Sequence, residues 1–273
     1  MGIPLSERFI ARNGKLLRFI PDGYEGSVAV PDNITSVGDH AFRNSHISEV
    51  IIPSSVTSIG LGAFEECEEL EWMTLPETVR YIGRDAFRKC ACLREISLPG
   101  KMTRLNDCCF AQCSSLERVR LGENIIFGMN VFDRDNRIGR LDVGSISIQS
   151  SALSQESSRN IERITRAVRY GTVPDIHPAL RVQLAAELFI QRRNEEAKKF
   201  LRRNTIDVFS FLSLEGRTDL MLKLAAEEDI VAPHIHELIE KAIAAEQHEV
   251  YIVLANLRHA AAPDGPPAER FSL

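Results

Sequence analysis

The chain has 273 residues, 44% of them hydrophobic, and a formal net charge of −5 at pH 7. This length allows one long solenoid or two modest domains, and the acidic balance argues against a general nucleic-acid binder, which needs a basic surface. No window approaches about eighteen apolar residues, so we expect no membrane span. The start of the sequence lacks the continuous apolar core of a signal peptide, and we therefore expect a cytoplasmic location.

A pattern with a period of 22 to 23 residues recurs through the first half of the chain and is marked by Pro31, Pro53, Pro76 and Pro99. Two of its copies read IPSSVTSIGLGAFEECEELEWMTL from Ile52 and LPETVRYIGRDAFRKCACLREISL from Leu75. Related copies begin at Val30 and Leu98, and a degenerate fifth begins at Leu121. Self-similarity at such a period predicts a solenoid that ends near residue 148.

Each copy alternates apolar and variable residues, as in Leu70-x-x-Met73-x-Leu75. This period of two predicts a short strand, and stacking of the copies predicts a parallel sheet. The segment Val56-x-x-Ile59-Gly60 predicts a second extended piece that is ended by a turn glycine. The Ala-Phe pair of each copy predicts a column of stacked core phenylalanines at Phe42, Phe64, Phe87 and Phe110.

The residues between the inward positions of the first strand point outward and form two columns. Because solenoid faces are rigid and their outward side chains vary freely, such columns are typical recognition surfaces. Trp72 is the only tryptophan, and it is interpreted either as an interface anchor or as cover for a neighbouring loop or the helical region. Arg118 and Arg120 are interpreted either as partner contacts or as solvated side chains. The predicted partner-binding residues are Glu49, Ile51, Trp72, Thr74, Glu95, Ser97, Arg118 and Arg120.

These repeats resemble the BspA-type leucine-rich-repeat family, a bacterial group with the pattern IP-x-x-V-T-x-I-G-x-x-A-F-x-x-C-x-x-L-x-x-I-x-L-P. The resemblance covers about residues 9 to 140, including an N-terminal cap in FIARNGKLLRFIPDGYEGSVAVPDNI. It implies a protein-interaction scaffold, and secreted relatives act in adhesion and host contact. This chain departs from those relatives in lacking a recognisable signal peptide.

The six cysteines follow the repeat. Cys67, Cys90 and Cys113 share one repeat position, and Cys109 occupies an alanine position, so these four are predicted to be buried and inert. Cys92 and Cys108 are predicted to be more exposed. Their spacing does not reproduce a zinc motif, and no metal site or cofactor is predicted. The acidic run 65–69 is interpreted as solvated surface.

No nucleophilic triad, phosphate loop or zinc-protease motif is present, and the protein is predicted not to be an enzyme. The pair His234-x-His236 is interpreted as polar residues at a helix start rather than as metal ligands.

Helical periodicity replaces the repeat from Arg159 onward. Breaks near Asn204, Gly216 and Pro233 predict helical hairpins. Three helices open on a polar turn followed by an apolar face, loosely like the second helix of an ankyrin hairpin: RRNEEAKKFL, EGRTDLMLKL and AEQHEVYIVL. Residues 159–203 hold eleven Lys or Arg against five Asp or Glu, and residues 207–249 hold three against ten. The asymmetry indicates either solvated helix faces or a patch for a partner, and it leaves self-association possible.

The predicted fold class is α+β, a leucine-rich-repeat solenoid followed by an all-α helical-hairpin domain. The predicted function is an intracellular, non-enzymatic scaffold that binds a protein partner through the outward strand face. The alternative is an exported or cell-surface adhesin that binds a host or matrix protein. The predicted segments are a cap (1–27), the solenoid (28–148), a linker (149–158), the helical domain (159–258) and a disordered tail (259–273).

Overall fold

The computed structural model describes residues 4–132, 136–154 and 157–261. Most of the predicted tail, its residues 262–273, lies outside the described residues, as do parts of the predicted cap and linker. The chain divides into two compact units, residues 1–170 and residues 171–273. Within the described residues, no helix combines the length and apolar character needed to cross a bilayer.

The first unit is a β-solenoid preceded by a short 3-10 turn at Leu5–Glu7. Its strands are β1 (Phe9–Arg12), β2 (Lys15–Phe19), β3 (Gly26–Ala29), β4 (Ser36–Val37), β5 (Ile47–Ile51), β6 (Ser58–Ile59), β7 (Trp72–Thr74), β8 (Tyr81–Ile82), β9 (Glu95–Ser97), β10 (Arg104–Leu105), β11 (Arg118–Leu121), β12 (Ile126–Phe127), β13 (Arg140–Val143) and β14 (Ile146–Gln149). The fold class expected from the repeat pattern is confirmed.

Two parallel strand stacks run along this unit. The odd-numbered strands β3 to β13 form one stack, and the even-numbered strands β2 to β12 form the other. Antiparallel hairpins stand at the two ends, β1 with β2 and β13 with β14. The stacks have six rungs each, whereas the proline-marked pattern shows five copies. The difference arises because β2 and β3 precede the first proline and already stack on the array.

Apolar side chains of every rung fill the space between the two stacks. Leu70, Met73 and Leu75 are buried, as are their equivalents one and two rungs on. The predicted phenylalanine column is confirmed, with ring centroids 4.9–5.3 Å apart from Phe42 to Phe110. Phe19 and Phe132 extend the column at its ends. Offset aromatic contacts of this kind add about 0.5–1.5 kcal/mol each beyond burial.

A glycine follows four of the short even-numbered strands, β4, β6, β8 and β12, for a reason that the repeat pattern did not reveal. Gly60 and Gly83 do not have the positive φ of a turn glycine. A Cβ on Gly83 would lie 2.6 Å from the carbonyl carbon of Gly60, and a Cβ on Gly60 would lie 2.7 Å from that of Gly38. Successive backbones therefore approach too closely for a side chain at Gly60 and Gly83, whereas the equivalent position after β10 is Asn106, whose amide donates to the Ile82 carbonyl at 2.6 Å.

The first unit closes with a 3-10 turn at Ser151–Leu153 and with helix α1 (Ser157–Tyr170). Arg169 of α1 donates hydrogen bonds to the carbonyl oxygens of Glu123 and Ile125, at 3.0 and 2.8 Å. This side chain ties α1 to the last turn of the solenoid.

The second unit is helical in its described part. Its helices are α2 (Pro178–Arg192), α3 (Glu195–Arg203), α4 (Thr205–Leu214), α5 (Thr218–Ala225), α6 (Glu228–Val231), α7 (Ile235–Ala244) and α8 (His248–Ala261). Helices α2 and α3, α4 and α5, and α7 and α8 form the expected hairpins. The short helix α6 and a 3-10 turn at Ala232–His234 occupy the segment where the sequence predicted only a break.

The three polar turns predicted before apolar-faced helices share one backbone feature. Each contains a residue with positive φ, namely Arg193, Gly216 or Glu246. Such a left-handed residue ends one helix and reverses the chain. The side chain of Asn194 then accepts a hydrogen bond from the Ala197 N–H at 2.8 Å and caps α3.

Candidate partner-binding face

The eight residues predicted to bind a partner lie on the outward side of the odd-numbered stack. Strand register pairs Glu49 with Trp72 and Ile51 with Thr74. It also pairs Arg118 with Glu95 and Arg120 with Ser97. The eight side chains therefore form the two predicted columns, and we refer to them together as the strand face.

One half of the strand face, on β5 and β7, carries two exposed apolar side chains beside Glu49 and Thr74, and we call it the apolar half. The side chain of Ile51 is 49% exposed and that of Trp72 is 46% exposed, although both belong to regular strands. Burying these two side chains against a partner would remove apolar surface from water at about 25 cal/mol per Å².

The other half of the strand face is charged and internally paired. Arg118 lies 3.0 Å from the carboxylate of Glu95, one rung away. Arg120 lies 3.7 Å from Asp142 on β13, which also contacts Arg140 at 3.4 Å. Exposed pairs contribute only about 0–1 kcal/mol, so a partner could displace them cheaply.

Strands β7 and β9 belong to separate hydrogen-bonded sheets, although they are neighbouring rungs. The Arg94 N–H donates to the Glu71 carbonyl at 3.5 Å, at the limit of a hydrogen bond, just before these strands. The division falls between the apolar and charged halves of the strand face.

Sequence reasoning missed two rungs of this surface. Ser27 and Ala29 pair with Glu49 and Ile51 on one side. Arg140 and Asp142 pair with Arg118 and Arg120 on the other. The alternation in Leu141-Asp-Val143 was a signal for the second extension, since it repeats the strand pattern one rung later.

The acidic run at residues 65–69 is not simply solvated surface, and that interpretation was wrong for Glu65. This residue is only 7% exposed, and its carboxylate lies 3.0 Å from Arg88 and 3.3 Å from Arg43. Glu66 pairs with Lys89 at 2.9 Å, and the hydrogen bond from that ammonium holds the pKa of the Glu66 carboxyl below its usual range. These pairs link three successive rungs, so the cluster has a structural role.

The burial predicted for the six cysteines is confirmed. Cys67, Cys90, Cys109 and Cys113 are buried, Cys92 is exposed and Cys108 is half-buried. The Cys67, Cys90 and Cys113 thiols donate to the Phe42, Phe64 and Phe87 carbonyl oxygens at 3.1–3.2 Å. Burial raises the pKa of Cys67 and of Cys109 to about 12, which suppresses the reactive thiolate. Among the described residues, no three potential ligands are grouped so as to hold a metal ion.

The basic and acidic halves of the helical sequence pair with each other in part. Lys198 lies 2.7 Å from Asp229, and Arg193 lies 2.6 Å from Glu227. The hydrogen bond from Lys198 lowers the pKa of Asp229. These contacts within one unit account for part of the charge asymmetry.

These features define a leucine-rich-repeat solenoid. Short parallel strands stack with their aliphatic residues buried, a phenylalanine column fills the core, and variable residues face outward. Residues 26–139 match the BspA type leucine rich repeat region in six copies, so the repeat region of this chain is of the BspA type. Repeats of this kind are generally non-catalytic binding modules, typical of protein-interaction or surface proteins.

Several solved structures of bacterial leucine-rich-repeat proteins are similar to part of this chain. A leucine-rich cell surface protein of Faecalibacterium prausnitzii is 24% identical over 48% of this chain and 35% of its own, with a TM-score of 0.41. A leucine-rich-repeat protein of Bacteroides capillosus is 25% identical over 42% of this chain and 98% of its own, with a TM-score of 0.37. The leucine-rich-repeat protein of T. pallidum is 21% identical over 59% and 96%, with a TM-score of 0.32.

The alignment thus spans about a third of the length of the Faecalibacterium protein. No curated protein matches the chain.

Proposed function

We propose that this protein is a non-enzymatic cytoplasmic scaffold and that the strand face holds a protein partner. The exposed pair of Ile51 and Trp72 on a regular strand stack is the observation that supports the proposal most directly. Large apolar side chains in neighbouring rungs make a contact site, and tryptophan is enriched among residues that dominate interface energetics.

The charged half of the strand face supplies the rim of the proposed interface. Arg118 and Arg120 keep exposed guanidinium groups beside Glu95 and Asp142. Acidic groups of a partner could replace Glu95 and Asp142 beside these arginines. Such ion pairs would fix the position of the partner on the strand face more than they would raise its affinity. The solenoid provides rigidity, since β5 and β11 pair with a strand on each side and β7 and β9 pair with one strand each.

The test is affinity capture from native lysate with the wild-type chain and with a triple variant, Trp72→Ala, Arg118→Glu and Arg120→Glu. The matched control is Tyr81→Ala with Arg104→Glu, which changes an exposed aromatic residue and an arginine on the even-numbered stack. We expect one partner to be retained by wild type and control and lost by the folded triple variant. Retention of the partner by all three proteins would move the binding site away from the strand face.

The cytoplasmic part of the proposal is tested separately by fractionation of native cells. We expect the protein in the cytoplasmic fraction. Recovery at the cell surface, with protease accessibility in intact cells, would favour the adhesin alternative instead.

A further inference from the structure

Helices of the second unit form a cavity of about 280 Å³ that is open to solvent on one side and that the proposed scaffold function does not use. Its walls come from α4, α5, α7 and α8 and are mostly apolar: Phe209, Leu214, Met221, Leu238, Ala242 and Val250. Leu214 is 83% exposed although it contributes to this wall. This apolar wall is partly exposed to solvent, and exposed apolar surfaces of this kind often mark binding sites.

The polar groups at the cavity are the donors Lys241, Ser210 and Ser213 and the Gln247 amide, whose buried oxygen accepts no hydrogen bond among the described residues. The Lys241 ammonium lies 3.4 Å from the Ser210 hydroxyl oxygen, and it forms no ion pair among the described residues. The Ser210 hydroxyl donates to the Ile206 carbonyl at 2.9 Å. The Ser213 hydroxyl oxygen accepts a hydrogen bond from the Gln247 amide at 2.9 Å. This bond does not use the Ser213 hydroxyl proton, which can be donated to another group. Lys241 and Ser213 therefore offer donors to an acceptor group.

We propose that this cavity binds a small amphiphilic carboxylate, specifically a free medium-chain fatty acid. The aliphatic chain lies against Leu238, Ala242 and Val250, and the carboxylate lies at the mouth beside Lys241 and Ser213. A water-sized group takes about 30 Å³, so the space holds about nine such groups, which corresponds to a chain of about nine carbons. Cavities of about 300–1,000 Å³ with few polar groups are typical of small-molecule sites.

The charge of the head group follows from Lys241. An ammonium beside an apolar wall favours an anion, and a carboxylate can accept hydrogen bonds from both donors at once. Because Lys241 is exposed, water screens the attraction, and we expect the charge to improve affinity only about two- to five-fold over a neutral head group.

The experiment is isothermal titration calorimetry of the full chain with nonanoate, 1-nonanol and butyrate. We expect nonanoate to bind with one-to-one stoichiometry and a Kd of about 0.1–1 mM. 1-Nonanol should bind about two- to five-fold more weakly, and butyrate should show no saturable heat. Lys241→Gln should bring nonanoate to the affinity of 1-nonanol. Lys223→Gln is the matched control, because this exposed lysine of α5 does not line the cavity.

Ala242→Phe should abolish binding of both nine-carbon probes, because the ring fills the cavity. Ala245→Leu narrows the mouth from an exposed position and tests the same point if the first variant fails to fold. Absence of saturable nonanoate binding to the wild type would overturn the proposal. Nonanoate binding that survives both filling variants would overturn it as well, because the fatty acid would then occupy another surface. Equal loss of nonanoate affinity in Lys241→Gln and Lys223→Gln would remove the assigned role of Lys241.

Discussion

The two units of this protein are stabilised by contacts of different kinds. In the solenoid, a residue meets the equivalent position one rung away, as Phe64 meets Phe42 and Phe87, or Arg118 meets Glu95. In the helical unit, the buried polar contacts join dissimilar residues, as Arg217 joins Gln183 and Glu187. A contact between equivalent positions of neighbouring repeats can be predicted from the repeat pattern. A contact between unrelated positions can be recognised only from the three-dimensional structure.

This difference affects how each unit should respond to substitution. A lost side chain in a repeat removes contacts with two neighbours of the same kind, and the remaining rungs keep theirs. A lost member of a buried polar network leaves its partner without compensation. Trp72 lies in the solenoid, and most helical residues lie in the second unit, so tryptophan fluorescence and far-ultraviolet circular dichroism report on the two units separately.

The largest effects are expected from Arg217→Ala. The Arg217 side chain is almost buried, and it contacts the buried Glu187 carboxylate at 3.4 Å and the Gln183 oxygen at 2.6 Å. Removal leaves a buried charge without its partner, at a cost of about 3–5 kcal/mol in the free energy of unfolding. Urea denaturation followed by circular dichroism measures it. Arg217→Leu combined with Glu187→Leu should recover much of the loss, and an unchanged helical transition in the single variant would contradict the network.

Phe87→Ala tests the phenylalanine column at its middle. The ring is fully buried and stacks at 5.3 Å on Phe64 and 5.1 Å on Phe110. We expect a loss of about 3–5 kcal/mol from the solenoid, measured by tryptophan fluorescence in urea. Phe87→Leu keeps most of the volume and should cost clearly less. Equal losses for the two variants would show that ring stacking and cavity formation do not determine the stability of this rung.

Gly83→Ala tests the close approach of successive backbones. The added methyl group would meet the Gly60 backbone at 2.6 Å, and overpacking of this kind costs about 1–3 kcal/mol. The control is Gly100→Ala, where the nearest atom is a Glu77 carboxylate oxygen at 3.9 Å. The same measurement should show little change in the control. If Gly83→Ala were equally harmless, the glycine would be required for some other reason.

Ser45→Cys is expected to stabilise the solenoid. Ser45 occupies the repeat position of Cys67, Cys90 and Cys113, and its buried hydroxyl has no hydrogen-bond partner among the described residues. Replacing an unsatisfied hydroxyl by a weakly polar thiol should gain about 1 kcal/mol. The urea midpoint should rise, and Cys92→Ser, a change at an exposed cysteine, should leave it unchanged. A lower midpoint for Ser45→Cys would show that the hydroxyl is satisfied in solution.

The smallest effect concerns the pH dependence of the helical unit. The hydrogen bond from Arg217 lowers the pKa of Asp219, whereas burial raises the pKa of Glu187. A lowered carboxyl pKa stabilises the fold above the unfolded value near 4, and this contribution is lost as pH falls through the folded pKa. Asp219→Asn should therefore make stability less sensitive to acid, as thermal unfolding from pH 6 to pH 3 would show. An unchanged pH profile would mean that Arg217 does not favour the Asp219 carboxylate over its protonated form.

The raised Glu187 pKa acts in the opposite direction. The folded state holds the Glu187 proton more tightly than the unfolded state, so this contribution is present at low pH and is lost as pH rises through the folded pKa. The contribution of Glu187 therefore opposes that of Asp219.

The sequence by itself determined the solenoid, the inward and outward positions of its strands, the phenylalanine column and the burial of four cysteines. These features follow from the period because neighbours in space lie one repeat apart in sequence. It also placed Trp72 and Arg118 on one face of the solenoid.

Only the tertiary structure decided the burial of Glu65 against Arg43 and Arg88, the network of Arg217 and the cavity beside Lys241. The sequence shows that a residue is charged but not whether its side chain is solvated or forms an ion pair. The acidic run was therefore predicted to be solvated, whereas the fold places Arg43 and Arg88 beside Glu65. The helical contacts join residues about 30 positions apart without a repeat to relate them. Their geometry depends on how the helices pack, and hydrophobic periodicity does not specify that packing.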